Sequence, residues 1–262
     1  MVMGRRPRVG LALGAGSARG LAHLGVLQVL EEEQIPIDMI AGSSIGSMVG
    51  AFYAIGHDLK LLSKMAVQLN ANSLLDLGVP RLGFVAGRRI SEFLYLLTKG
   101  MTFADLKVPL GVVATDLELG EMVVIREGSV AEAVRASISI PGVFQPVELN
   151  GRLLVDGAVT ESLPAGVVRE MGADIVIGVD VSFGTKEVRI RSILDVFWQS
   201  IEILERQVFT SRVSQADVLI QPAVCHIGSS KFDRAEECIK LGIEAARQVI
   251  PQIKEMIETW RD

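Results

Sequence analysis

Two glycine-bearing turns near the N-terminus restrict the fold more than any other feature of the chain. Residues 8–13 are apolar and β-compatible, and they run directly into Gly14-Ala15-Gly16-Ser17-Ala18-Arg19-Gly20. Behind that turn, Leu21, Leu24, Leu27 and Leu30 recur at helical spacing. Residues 38–42 form a second short strand pattern, and residues 44–55 a second helical one. Strand, tight turn, helix, then the same again, is the signature of a parallel sheet with helices on its faces.

The rest of the chain extends that pattern. Residues 59–97 read as mostly helical, with a Gly/Pro-broken stretch at 78–87. Residues 109–115 and 122–125 read as two strands joined by a short loop, 130–136 as a helix, and 137–142 as a loop. Asn150-Gly151 between apolar runs at 147–149 and 153–155 predicts a hairpin. Residues 174–181 and 218–221 read as further buried strands. Residues 193–208 and 235–259 read as helices, the second broken or begun anew at Pro251. With 49% hydrophobic residues there is enough apolar material for a full core. No linker-like stretch divides it, so one domain is expected over 1–262, with a motif-bearing core at about 8–222 and a helical segment at about 231–262.

Composition excludes some functions. The net charge of −5 disfavours nucleic acid, which is bound through clustered Lys and Arg. Arg5, Arg6 and Arg8 form a basic cluster that reads as a solvated leader, with an anionic membrane face as the sharper alternative; Arg88-Arg89 carry the same ambiguity. The arginines followed by an apolar run imitate a signal peptide, but cleavage there would destroy the first glycine turn. Residues 39–56 are a charge-free run of 18, at the edge of membrane-span length. Glycines and serines interrupt it and a strand turns into a helix inside it, so it reads as buried core. Cys225 and Cys238 fit neither a disulfide framework nor a zinc spacing, which suits a reducing cytosol.

Chemistry concentrates in three places. Gly42-Ser43-Ser44-Ile45-Gly46 matches G-x-S-x-G where a strand passes into a helix, the context of a nucleophile elbow. A serine needs a base. His23 and His57 lie in helical stretches, whereas His226 would complete the order Ser, Asp, His of an α/β-hydrolase triad. Asp156, in Val155-Asp156-Gly157-Ala158, is the better candidate, because it ends a strand and burial would raise its basicity; its plainer reading is a helix cap or turn support. The turn at 14–20 offers backbone amides to an anion at the opening of a helix. That turn also looks like a dinucleotide loop, but the ribose-binding acid expected after the second strand is replaced by the elbow.

Taken together, these segments resemble the patatin-like phospholipase family in its small bacterial form. GLALGAGSARGLAHLGVL resembles the family's glycine-rich oxyanion segment, GSSIG its elbow, VRASISIPGVFQP a further segment, and DGA its aspartate motif. The resemblance implies a three-layer α/β/α sandwich with a mostly parallel central sheet, and no metal or organic cofactor. It implies Ser44 as nucleophile and Asp156 as proton acceptor without histidine, with Ala15, Gly16, Ser17 and Arg19 at the oxyanion. Gly42 and Gly46 then shape the elbow, and Gly157 and Ala158 complete the aspartate motif. The expected partner is a lipid or acyl-ester substrate, met in the cytoplasm or in transient contact with the inner membrane face. Ala15 and Ser17 stand where the family's run has glycine, and Glu161-Ser162 follow the DGA segment where the family often has Asn. A regulatory or adaptor protein on the same fold is the principal alternative; a His-dependent hydrolase and a nucleotide-binding oxidoreductase are the others.

Overall fold

A computed structural model describes residues 5–76, 82–182, 199–200, 203–204 and 215–261. The chain opens with β1 (Val9–Leu13), a 3-10 helix at Ser17–Leu21, α1 (Ala22–Glu32), β2 (Met39–Ser43), α2 (Ile45–Ile55) and α3 (Leu59–Gln68). Next come β3 (Gly83–Val85), α4 (Arg88–Leu97), β4 (Leu110–Asp116), β5 (Glu121–Ile125) and α5 (Val130–Ser137). Then follow β6 (Gly142–Phe144), β7 (Val147–Leu149), β8 (Arg152–Asp156), α6 (Ala165–Glu170), β9 (Ile175–Val179), β10 (Val218–Ile220) and α7 (Ala235–Thr259).

The main sheet has the order β10-β9-β1-β2-β4-β8-β7, with β5 also paired to β4. From β10 to β4 neighbouring strands are parallel, whereas β5, β8 and β7 join antiparallel. The central strands β1, β2, β4 and β9 are buried along their whole length. This explains their unbroken apolar runs, since a strand covered on both faces needs no polar alternation. Leu11, Leu13 and Ile40 enter the larger core, with α1, α2, α5 and α7. Ala12, Met39 and Ala41 enter the smaller one, with Val167 and Val168 of α6. Helices therefore cover both faces, giving the three layers.

Chain order places the functional end. From β1 the chain first builds β2 and β4 on one side, then returns to lay β9 and β10 on the other. The turns leaving β1 and β2 thus sit at the carboxyl edge beside the reversal, where open α/β sheets bind ligands.

Several expectations change. The broken, mostly helical stretch 59–97 holds two helices, and between them a 3-10 turn at Ala71–Leu74 and the strand β3, which was not expected. The expected loop at 137–142 is shortened, because α5 runs through Ser137 and Gly142 begins β6, which pairs parallel with β3 in a small second sheet. Helix α7 passes through Pro251 unbroken. The carbonyl that loses its donor there belongs to Arg247; Arg247 and Pro251 lie on the exposed side of the helix, while Ala246, Ile250 and Ile253 stay packed inward. Most of the helix expected at 193–208 lies outside the described residues.

The N-terminal arginines are tied down at the opposite edge of the sheet from the β1 and β2 turns. Arg5 pairs with Asp174 at 2.6 Å and lies over Trp260, and Arg6 pairs with Asp38 at 2.7 Å, whose carboxylate also takes the Val9 amide. They are neither a loose leader nor near the functional end. No helix among the described residues is long and apolar enough to cross a membrane.

Candidate active site

Ser44 sits between β2 and α2 with φ 52 and ψ −127, a backbone state that L-residues rarely adopt. Such a residue stores about 1–3 kcal/mol and persists only where its surroundings fix it. Here Ser44 donates its amide to Ser137 Oγ at 2.9 Å, and Ser137 Oγ donates to the Val113 carbonyl at 2.5 Å. The Ser44 carbonyl takes the Ser47 hydroxyl at 2.6 Å. Gly46 lies against the Leu13 and Gly14 carbonyls, so an added Cβ would overlap backbone that cannot move aside. Gly42 packs equally closely on the Ser47 backbone. We expect Gly46→Ala to destabilise the chain by about 1–3 kcal/mol, read as a fall in thermal midpoint; an unchanged midpoint would show that the elbow is not held this tightly.

The sheet brings the partner in. Parallel pairing sets Ser43 beside Val113, and antiparallel pairing sets Asp156 beside Ala114. Two residues 112 apart in sequence thereby meet, and Ser44 Oγ donates to Asp156 Oδ2 at 2.7 Å. The other carboxylate oxygen takes the Ala158 amide at 2.9 Å. Gly157 lets the chain turn directly on β4, because a Cβ there would overlap the Val113 carbonyl. Asp156 is 3% exposed. Burial raises its pKa to about 7, against the opposing pull of the Ser44 and Ala158 hydrogen bonds. A carboxylate desolvated in this way is made basic enough to take a proton near neutrality.

The turn after β1 folds over this pair. Gly16 and Ser17 start the 3-10 helix, and among the described residues their amides meet no acceptor. Ser17 has φ 51, which glycine would adopt without strain; Ala15 has no such constraint, so its departure from the family pattern costs nothing in backbone geometry. The Ala15 amide is engaged by the Ser162 carbonyl at 2.9 Å, which removes it from the expected set of anion donors. Ser162, one of the two residues after the DGA segment that depart from the family, therefore braces the turn through its backbone. Arg19 is buried, and its charge is felt by Cys238 on α7. It does not line the cavity beside Ser44.

No histidine joins the pair. His226 bonds Glu237 at 2.9 Å on the surface, and His57 bonds the Leu97 carbonyl at 2.6 Å. His23 is fully buried and bonds the Gly14 carbonyl at 2.8 Å. Burial lowers its pKa to about 4, so it is neutral and donates Nε2–H to that carbonyl. It holds the glycine turn from beneath, as a packed histidine and not a base. Cys238 is likewise packed, its thiol pushed up to about 11 by burial.

A cavity of about 350 Å³ opens in front of Ser44. Its walls come from α2, α3, α4 and β6, and only Ser17, Ser44 and Ser230 among its lining residues are polar. Arg135 props one wall: it donates to Ser139 Oγ at 2.5 Å and to the Gln145 carbonyl at 3.3 Å, and stacks on Phe144. Ser137 and Arg135 both fall in the VRASISIPGVFQP segment, whose polar residues were the available signal for them.

A family profile described as Patatin-like phospholipase matches residues 11–169, which hold both Ser44 and Asp156. The chain belongs to this family. An uncharacterised NTE family protein of Mycobacterium tuberculosis is 39% identical over 178 residues, covering 67% of this chain and 49% of that protein. Patatin-like phospholipase domain-containing protein 6 of Homo sapiens is 35% identical over 181 residues, covering 66% of this chain and 13% of that protein. The chain thus spans half or less of the length of these relatives. Among solved structures, VipD from Legionella pneumophila superposes with a TM-score of 0.62 at 15% identity, covering 95% of this chain and 67% of that one. ExoU of Pseudomonas aeruginosa, in complex with SpcU, gives 0.53 at 16% identity, covering 98% of this chain and 54% of that one. At these identities the likeness is one of fold.

Proposed function

We propose that this chain is a serine acyl-hydrolase that cleaves carboxylic esters of lipids through Ser44 and Asp156. The observation that carries the reading is the 2.7 Å bond from a strained, buried serine to an aspartate held near pKa 7, at the head of an apolar cavity. Membership of the patatin-like phospholipase family supports it.

In the reaction, Asp156 accepts the Ser44 proton as Oγ attacks the ester carbonyl. The tetrahedral oxyanion forms against the amides of Gly16 and Ser17, donors fixed in place before the charge appears. Asp156 returns the proton to the departing alcohol, leaving an acyl-enzyme on Ser44. Water then attacks the acyl carbon, Asp156 takes its proton, and release of the fatty acid returns that proton to Ser44. The acyl chain lies in the cavity, whose volume falls within the usual range of about 300–1,000 Å³ for small-molecule sites. Neutral His23 serves by fixing the Gly14 carbonyl and, through it, the turn that carries the Gly16 and Ser17 amides. The cytoplasmic setting stays part of this reading, as does contact with a lipid surface.

Reaction with a fluorophosphonate probe tests the assignment. The expected result is a label on Ser44, abolished in Asp156→Asn and retained in His226→Ala. Absence of label on folded protein would favour the adaptor alternative, and loss of label in His226→Ala would replace the dyad by a triad.

A further inference from the structure

The charge of the chain is unevenly distributed. Residues 58–76 and 82–99 hold Lys60, Lys64, Arg88, Arg89 and Lys99 against Asp58, Asp76 and Glu92, a balance of +2 in a chain of net charge −5. Everything else therefore carries −7. Two of the three acids are occupied locally. Asp58 accepts the Leu61 amide at the start of α3, and Asp76 accepts the amides of Gly87 and Arg88. Lys60 and Lys64 stand one turn apart on α3 and are both exposed, as are Arg88 and Arg89 at the start of α4.

The same stretch carries more than half of the large apolar side chains exposed among the described residues. Leu61 is 65% exposed, Leu82 64%, Phe84 56% and Leu96 72%. Leu61, Phe84 and Leu96 are borne on α3, β3 and α4, the elements that wall the cavity or pair with its wall, and Leu82 directly precedes β3. Leu75 belongs to both sets, since it lines the cavity and is also 40% exposed. An apolar lining thus continues outward into an apolar, basic surface.

We propose that this face, formed by residues 58–76 and 82–99, docks on an anionic lipid bilayer. The exposed leucines and Phe84 enter the interface, the cations meet headgroup phosphates, and the cavity mouth is turned to the membrane. A bilayer is favoured over a protein partner by the pairing of the two features. Apolar groups around an acyl-sized opening match a hydrocarbon layer, and the local sign reversal orients a chain whose remaining charge is repelled by an anionic surface. Binding itself is independent of turnover; only what enters the cavity rests on the acyl-hydrolase reading.

Co-sedimentation of the full chain with phosphatidylcholine vesicles, with and without phosphatidylglycerol, tests this. The wild type is expected to pellet with the anionic vesicles, and Lys60→Gln/Lys64→Gln to reduce that partitioning on the order of 20-fold. Phe84→Ser is expected to weaken binding to both compositions. Hydrolysis of a short, soluble ester is followed in parallel and stays unchanged in these variants. Wild type left in the supernatant, or variants that pellet as well as wild type, overturns the proposal. So does a dimer in sedimentation velocity that Phe84→Ser disperses, because a second copy would then own the face. Vesicle binding without ester turnover in the wild type would instead count against the catalytic assignment and for the docking face.

Discussion

Asp156→Asn is expected to lower turnover of a soluble ester by about 10²–10⁴-fold, with the fold retained. The asparagine can keep both contacts of the aspartate. Its Oδ1 still accepts from the Ala158 amide and its Nδ2 donates to Ser44 Oγ, so geometry survives while the proton acceptor is lost. The wild-type rate carries a pH signature of the same group. Only ionised Asp156 takes the serine proton, and burial holds its pKa at about 7. The rate therefore climbs with pH below that value and levels off above it. His23, with its pKa lowered to about 4, does not shape this limb. Initial rates across roughly pH 5 to pH 9 provide the check. A wild-type rate flat through pH 7, or an Asp156→Asn variant with near-native turnover, would remove Asp156 from the chemistry.

What the sequence disclosed was set by the range of the interactions involved. The turn at Ser44 was legible because its cause is local: an apolar strand, small residues on both sides and a helical run behind. The hairpin at Asn150-Gly151 was legible for the same reason, and both residues have positive φ. The pairing of β3 with β6 was not. Each is three residues long, and α4, β4, β5 and α5 all lie between them in the chain. The meeting of Ser44 with Asp156 lay between these cases. Residue types marked both as candidates, but only the registers of β2 and β8 on β4 bring them into contact. The oxyanion turn shows the remaining gap. Its composition announced free amides but not which ones, and the Ser162 carbonyl takes that of Ala15 through a contact that no side-chain identity encodes. Ser137 was hidden likewise, since a hydroxyl that restrains a strained backbone looks like any other serine in a turn.

The second consequence of the raised Asp156 pKa concerns stability, and its sign is opposite to that of an ordinary salt-bridged carboxylate. In the unfolded chain this group ionises near pH 3.9; in the folded chain it does so at about 7. Between those values the folded state binds the proton and the unfolded state does not, so stability falls as pH rises through the interval and is lowest above pH 7. Three units of pKa correspond to a ceiling of about 4 kcal/mol. Asp174 works the other way, since the Arg5 side-chain hydrogen bond, helped by the Arg8 amide and both charges, holds its pKa at about 2. That contribution is present in wild type and variant alike and cancels in their difference. Asparagine at position 156 carries no charge to desolvate. Asp156→Asn is therefore expected to melt higher than wild type at pH 8, on the order of 5 °C for a domain of this size, with the gap closing toward pH 4. Thermal melts of both proteins at the two pH values measure it. A variant that melts below wild type at pH 8 would mean that the buried carboxylate is stabilised in the fold by more than its two hydrogen bonds. The same desolvation that weakens the fold makes the carboxylate a base, so the gain in melting temperature and the loss of turnover should arise together from one substitution.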